Sequence, residues 1–524
     1  MMRSLFTICL FLLFIPCGKA SQRFDSLAFK YAQFIHKDQL SKHLHVLASN
    51  AFEGRETAKE GQKKAARYIA DFFASIGIKP CIGDSYFQKF NVLERAPRGT
   101  IVIGNKRLTY AVDFYYIPGF KDTSFVLTDL MLLGYGIHDS AYSDYGKMDV
   151  RGKVLLFLDG EPYAKGKSLV SKSKFPSAWT TDNRKKAQYA RQRGAAAVFL
   201  IKDNFKESSA YARHFLEKPP MILEMDTATK DYQNTRRRIP TFYLSPETSY
   251  LLFSQADQNE MKKYIQRKRK SQTMGLGSSE EIMRVEMKSD DRRLETENVL
   301  GYIEGDELKN ELIVLTAHYD HIGVENGVVF NGADDDGTGT VALMQIAEAF
   351  MQAKKAGIKT KRSILVMLVS GEEKGLLGSS YYVENPVFPL KNTIVNLNID
   401  MIGRRDTAHW NRSDYVYLIG SDILSKELHA ISEAVNATYS QLTFDYTYNN
   451  LNDPNRYYYR SDHYNFAKKN IPVIFYFNGV HADYHQPTDD VEKIEFEKVE
   501  KIARLVFYTT WDLANREKRP ELNP

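Results

Sequence analysis

Three short aliphatic runs organise the second half of the chain: residues 312–315, 364–369 and 394–399. Runs of this length and composition fit strands buried on both faces, as in a parallel sheet. Between the first two, residues 338–356 show helical spacing, with Val341, Met344, Ala347, Phe350 and Met351 on one side. Thr338 is a suitable N-cap for this helix, and Gly357 ends it. A helix at 425–435, a strand at 473–477 and a helix at 495–513 follow, the last with Val499, Ile502, Val506 and Leu513 inward. Alternating strands and helices predict an α/β fold, a mostly parallel sheet sandwiched by helices. The apolar stripes read as core.

Upstream, residues 40–77 are largely helical in pattern. The stretch 57–76 carries Ala65, Ala66, Ile69, Phe72, Phe73 and Ile76 at helical spacing, with Gly77 as its C′ residue. From about residue 99 to 284 the texture changes. Strand-like runs at 100–103, 130–133, 154–158 and 197–201 alternate with turn residues, and a helix is predicted at 182–193. Residues 202–272 are the most loop-like part. This region supplies no dense ligand cluster and reads as a β-rich domain, 99–284, inserted between 21–98 and 285–524. A chain of 524 residues is too long for one simple core. It contains no internal repeat and no low-complexity segment.

With 43% hydrophobic and 26% charged residues the composition is that of a globular protein. The first twenty residues form a predicted leader: Arg3, an apolar stretch at 5–15, then Gly18-Lys19-Ala20. That stretch is too short to span a bilayer stably. Cleavage near Ser21 predicts a secreted or periplasmic protein with no integral membrane segment. Cys17 permits the alternative of a lipid anchor, although residues 14–16 make a poor lipoprotein box. Of three cysteines, Cys9 and Cys17 go with the leader, leaving Cys81 and no internal disulfide, so packing and bound metal must stabilise the fold. Losing Arg3 and Lys19 takes the formal charge from +6 to about +4, too weak to argue for nucleic acid. The basic stretch at 262–270 reads as a solvated face.

Candidate chemistry follows the aliphatic runs. His318-Tyr319-Asp320 follows the first, Glu372-Glu373 the second and Asp400 the third, with Gly332-Ala333-Asp334-Asp335 and His485 completing the set. In open α/β sheets the ligand site lies beyond the carboxyl ends of the strands. These residues are therefore expected to converge, which suggests a metallohydrolase. A two-metal hydrolase needs a bridging carboxylate, further ligands for each ion, and a base that is not a ligand. Asp335, in a Gly-flanked turn before a helix, suits the bridge. His318 and Asp400 complete one ion, and Glu373 and His485 the other. Glu372 is the adjacent proton acceptor, and Asp320 is placed to hydrogen-bond the His318 ring. Singly each element has a bland reading. The three aspartates make a calcium loop or a turn, the glutamate pair a solvated helix start, and His485 a surface histidine. The joint placement at strand ends carries the reading.

The series HYD, GADDDGTG, SGEEKGLLGS, NIDMIG, RSDHYNFAKKNIP and YHQPTDD resembles the co-catalytic di-zinc aminopeptidase family. That family includes secreted bacterial leucyl-type aminopeptidases and, more distantly, glutamate carboxypeptidase II, the transferrin receptor and glutaminyl cyclases. The resemblance implies two Zn2+ ions on His318, Asp335, Glu373, Asp400 and His485, with Glu372 as general base and peptides as substrates. It sets Tyr484 beside the last ligand, where its hydroxyl either stabilises an oxyanion or merely packs. Residues 47–55 and 298–301 also look like parts of this peptidase domain. Residues 134–137, 150–154 and 186–194 resemble a protease-associated (PA) domain. Asp334 and Asp336 make the loop more acidic than in some members without removing a ligand. The implied activity is that of an aminopeptidase, with a carboxypeptidase or glutaminyl cyclase on the same scaffold as alternatives. A non-catalytic binding protein is disfavoured, because all six ligand and base positions hold suitable residues. Arg460-Ser461-Asp462-His463 reads as a supporting turn, and His481 is ambiguous. Side-chain preference is left open.

Overall fold

In the computed structural model the chain divides into two units, Met1–Lys89 with Thr296–Pro524, and Phe90–Glu295. The structure describes residues 24–117, 122–127, 130–224, 239–267 and 282–524. The leader at 1–20 and the end of the basic stretch at 262–270 lie outside the described residues.

The discontinuous unit opens with helices α1 (Ser26–Ala32), α2 (Lys37–Leu47) and α3 (Glu60–Ile76). Asp25 caps α1 by accepting from the Leu27 amide at 2.8 Å. Gly77 ends α3 at φ 89°, the left-handed cap that its helical period predicts. The elements that build the unit's sheet and cover it are, in chain order, β1 (Ser289–Ile303, in this unit from Thr296 on), β2 (Leu308–His318), α4 (Gly339–Lys355), β3 (Arg362–Val369), α5 (Leu377–Glu384), β4 (Thr393–Ile399), β5 (Tyr415–Ile419), α6 (Lys426–Val435), β6 (Thr443–Asp445), α7 (His463–Ala467), β7 (Val473–Phe477) and α8 (Phe496–Asn515).

The sheet of this unit runs β1-β3-β2-β4-β7-β5-β6. Its centre is parallel: β2 pairs in parallel with β3 and β4, and β4 with β7. The outer joins β1–β3 and β5–β7 are antiparallel. The three aliphatic runs are thus neighbouring strands, and their carboxyl ends align, with His318 opposite Val369 and Thr316 opposite Asn398. Both faces are covered. Ile313, Leu315 and Ala317 of β2 join the core that contains α4 and α8, while Leu312 and Val314 join the opposite core. Phe350 of α4 packs on Phe507 of α8 at 4.5 Å between ring centroids.

The unit Phe90–Glu295 contains a five-stranded sheet, Phe114–Tyr115, Thr241–Leu244, Ala197–Ile201, Val154–Leu158 and Leu130–Leu132 in spatial order, and a four-stranded one. The described residues within 202–272 are not loop-like. They include helices Phe205–Glu217, Pro246–Tyr250 and Gln258–Arg267 and the strand Thr241–Leu244. Averaged polarity hides these amphipathic helices, which bury only a few residues such as Phe205, Ala212, Met261 and Tyr264.

Thr338 is not the cap of α4. It is itself helical, at φ −65°, and makes no side-chain cap. Asp336 Oδ1 accepts from the Gly339 amide at 3.0 Å instead.

Candidate metal centre

The expected ligands meet at the carboxyl edge of β2, β3 and β4. Asp335 is their hub. Its Oδ1 lies 3.2 Å from His318 Nε2, and its Oδ2 lies 3.1 Å from His485 Nε2. His318 Nε2 is also 3.6 Å from Asp400 Oδ1, and His485 Nε2 is 3.2 Å from Glu373 Oε2. His318, Asp335 and Asp400 form one trio of ligand atoms within 4.8 Å of one another, and His321, Asp335 and Glu373 form another. The residues suit bound cations on a second ground. His318 Nε2, Asp335 Oδ2 and Glu373 Oε1 are buried without a properly directed hydrogen bond. Such unpaired buried atoms cost about 1–3 kcal/mol each unless something of opposite character lies among them.

Backbone amides and second carboxylate oxygens fix the ligands. The outer members of the Asp334-Asp335-Asp336 run turn away from the centre. Asp336 accepts from the amides of His318 (3.1 Å), Gly339 (3.0 Å) and Met401 (3.1 Å), joining three ligand-bearing segments. Asp334 accepts from Gly403 N at 2.6 Å and Thr338 Oγ1 at 2.9 Å, and faces His481 Nε2 at 3.2 Å. Asp489 accepts from the amides of Asp334 and Asp335. His481 is therefore a brace behind the bridge rather than part of the ligand trios. For Asp400, one oxygen accepts from Ser461 Oγ at 2.7 Å. Ser461 in turn accepts from Asn398 of β4, so the Arg460–His463 turn supports the ligand, as its sequence suggests. His485 sits at φ 55°, in the left-handed region that L side chains seldom adopt.

Asp320 corrects one expectation. The His318 ring is oriented by the backbone carbonyl of Asp320, 3.0 Å from Nδ1, while the Asp320 carboxylate is 3.8 Å away. The side chain is engaged elsewhere, accepting from Thr57 Oγ1 at 2.7 Å and from the Glu372 amide at 3.2 Å. It anchors the glutamate pair instead.

Glu372 Oε2 lies 3.8 Å from His318 Nε2. Burial, with the Glu373, Asp400 and Asp462 charges, raises its pKa well above the ordinary carboxyl value, against the pull of His318. Burial also opposes ionisation of Glu373, but the His321 and His485 rings outweigh it and hold Glu373 at about 2. His485 is pushed the other way, to about 10, as Asp335 and Glu373 overcome its burial. Tyr484 stacks on His485 at 3.8 Å between centroids, and its hydroxyl accepts from Arg460 at 3.3 Å. Burial first, then Asp335 and Glu373, raise its pKa, so the phenol keeps its proton. A cavity of about 40 Å³ opens beside Asp335, Glu372 and Asp400, walled by Met401, Tyr457, Phe475, Phe477 and Val480.

Sequence reasoning passed over several residues. His321 is fully buried, with Nδ1 2.9 Å from Glu373 Oε1. Its spacing three residues after His318 was the available signal. Asp489 is a buried acid beside the centre. Arg55 donates to four carbonyls around it, and nothing in its local sequence marks that role.

Fold and site together define an α/β domain that gathers two groups of side chains able to hold metal ions on the loops after its parallel strands. Residues 298–510 match the profile of Peptidase family M28. Aminopeptidase YwaD of Bacillus subtilis is 26% identical over 234 residues, 43% of this chain and 46% of that protein. A probable leucine aminopeptidase of Arthroderma otae is 27% identical over 211 residues, 39% of this chain and 54% of that protein. The matched region spans about half the length of these relatives. An aminopeptidase from Aneurinibacillus sp. strain AM-1 shares the fold with a TM-score of 0.53 at 19% identity, over 95% of this chain and 98% of that one. A zinc aminopeptidase from Bacillus subtilis does so at 0.50 and 18%, over 93% and 98%.

Proposed function

We propose that the protein is a zinc-dependent exopeptidase, an aminopeptidase that removes N-terminal residues from peptides, with two zinc ions in its centre. The observation that carries this reading is the division of Asp335, with one oxygen toward His318 and the other toward His485. Metal ions bound there supply Lewis acidity, polarising the scissile carbonyl and lowering the pKa of a water.

The chain's own residues do the rest. His318, Asp335 and Asp400 would hold one ion, and Asp335, Glu373 and His485 the other. Glu372 accepts the proton of the attacking water and passes it to the leaving amine. Its carboxylate is aimed by its own amide on Asp320. The Tyr484 hydroxyl accepts from Arg460 and so has its own proton free to donate toward a developing oxyanion. The apolar wall of Met401, Tyr457, Phe475, Phe477 and Val480 supports an apolar side chain beside the scissile bond. Residues 99–284 are an inserted PA-like domain, between 21–98 and 285–524 of the peptidase domain. The leader at 1–20 supports export. Among the described residues no helix is long and apolar enough to cross a membrane.

A panel of peptides with free and blocked termini tests the activity, run on the purified chain before and after chelation and with zinc restored. Cleavage that needs a free N-terminus and zinc is expected. Cleavage that needs only a free C-terminus would make it a carboxypeptidase, and cyclisation of N-terminal glutamine a cyclase. No turnover by a zinc-loaded chain would leave a binding protein.

A further inference from the structure

We propose that His321 is a fourth protein ligand of the second ion, so that this site is closed while the first remains open. The inference rests on the metal-centre reading above and concerns only how the donors divide.

Four side chains face the second position. His321 Nδ1 lies 2.9 Å from Glu373 Oε1 and 3.9 Å from Asp335 Oδ2. His485 Nε2 lies 3.1 Å from Asp335 Oδ2 and 3.2 Å from Glu373 Oε2. Atoms bound tetrahedrally at zinc–nitrogen and zinc–oxygen distances stand about 3.3 Å apart, which these spacings bracket. His321 is fully buried, yet neither of its ring nitrogens makes a properly directed hydrogen bond, nor do Glu373 Oε1 and Asp335 Oδ2. A structural histidine this deep normally donates from one nitrogen and accepts at the other. Here one ligand atom each of His321, Asp335 and Glu373 lies within 4.8 Å of the other two.

The ring has little freedom to face elsewhere. Its backbone amide donates to Arg55 O at 3.2 Å. Its Cγ–Cδ2 edge lies against Gly332, where a Cβ would come within 2.4 Å of both atoms. That contact turns the Nδ1 edge toward the acids.

The first position differs. Its protein donors are His318 Nε2, Asp335 Oδ1 and Asp400 Oδ1, because His318 Nδ1 is taken by the Asp320 carbonyl and the other Asp400 oxygen by Ser461. Three protein donors leave a coordination place vacant for water or substrate, whereas four make a closed, structural type of site.

The test needs no turnover. The apo full-length chain is titrated with Zn2+ against a competing chelator, as wild type, His321→Asn and His485→Asn. Wild type should take two ions. His321→Asn should keep one with wild-type affinity and bind the other at least about tenfold more weakly, as losing a ligand or its close support does. X-ray absorption on the wild-type protein with two zincs per chain gives a second measure that depends on no variant. It should count three imidazoles over the two ions rather than two. A His321→Asn protein that binds both ions as wild type does, or a count of two imidazoles, overturns the proposal while leaving the metal centre intact. A wild-type chain that binds no zinc overturns the metal-centre reading itself. Circular dichroism of the apo variants checks their fold, and if His321→Asn does not fold the imidazole count decides alone.

Discussion

Arg55 offers the sharpest test of what holds the centre in shape. Its side chain is 1% exposed. The guanidinium donates to Tyr319 O at 2.8 Å, Leu47 O at 2.8 Å, Asn331 O at 2.6 Å and Gly332 O at 2.8 Å. These carbonyls belong to the end of α2, the His318 loop and the turn that leads into Asp335. One planar fork thus binds three segments, and among the described residues no carboxylate forms an ion pair with it. Arg55→Met keeps much of the volume and leaves four buried acceptors without their donor. A lost hydrogen bond to a charged group costs about 1.5–3 kcal/mol, so four sum to roughly 6–12 if additive. They are not additive, and burial itself works against the charge, with Asp489, Asp320, Asp335 and Asp336 offsetting part of that cost. A net loss of roughly 4 kcal/mol is expected. At about 2 °C per kcal/mol for a unit of this size, the midpoint should fall by roughly 8 °C. Zinc affinity should fall too, since Tyr319 and Gly332 flank ligands. Urea and thermal unfolding of metal-free and zinc-loaded protein measure both. Arg55→Lys separates charge from shape: a single ammonium cannot reach four carbonyls, so it should lose most of the same stability. If the lysine variant matches wild type, or the methionine variant loses under about 1 kcal/mol, the fork is not what braces the centre.

The other expectations are shorter. Glu372→Gln should retain the fold and its zinc but lose about 10²–10⁴-fold in kcat; near wild-type turnover would remove Glu372 from the role of base. Asp335→Ala should disturb both zincs by mass spectrometry or atomic absorption, while His485→Ala disturbs at most one. The Asp335 variant should therefore lose more of the zinc-dependent stability, although removing a charge from a crowded acidic loop stabilises its metal-free form. His463 is fully buried and burial pushes its pKa down to about 3. The fold thus refuses a proton that the unfolded chain takes below pH 6.5. Stability from this group is complete above 6.5 and declines as pH falls toward 3, by about 2 kcal/mol at pH 5. His463→Phe should flatten that part of the stability profile, and an unchanged acid limb would contradict it.

The sheet and the convergence of the candidate ligands were legible for one reason. A parallel strand buried on both faces leaves a continuous aliphatic run, and the residue after it stands at the sheet's carboxyl edge. Residues 312–315, 364–369 and 394–399 were readable as strands because they are central: β2 is flanked by β3 and β4. His318, Glu373 and Asp400 followed from those endings. The polar residues inside β4 would have been harder to place. Asn396 and Asn398 bond to Thr316 across the sheet, and such pairing between strands has no signature within either strand.

What the sequence withheld is the difference between a ligand and its brace. In the Asp334-Asp335-Asp336 run all three carboxylates are buried, yet only the middle one faces the histidines of both positions. The outer two spend their lone pairs on amides at Met401, Gly403 and His318. Those partners lie up to about seventy positions away, so no local pattern distinguishes the three. The same holds for Asp320, where the backbone carbonyl, not the carboxylate, meets the histidine. Spacing in sequence places a residue at the site, but backbone direction decides which of its oxygens arrives there. Every residue carries a carbonyl, so that choice leaves no trace in composition. Within the site, the corrected expectation concerned a supporting role, because Asp320 braces the histidine with a carbonyl that every residue has, while the candidate metal ligands are the few side chains that sequence makes visible.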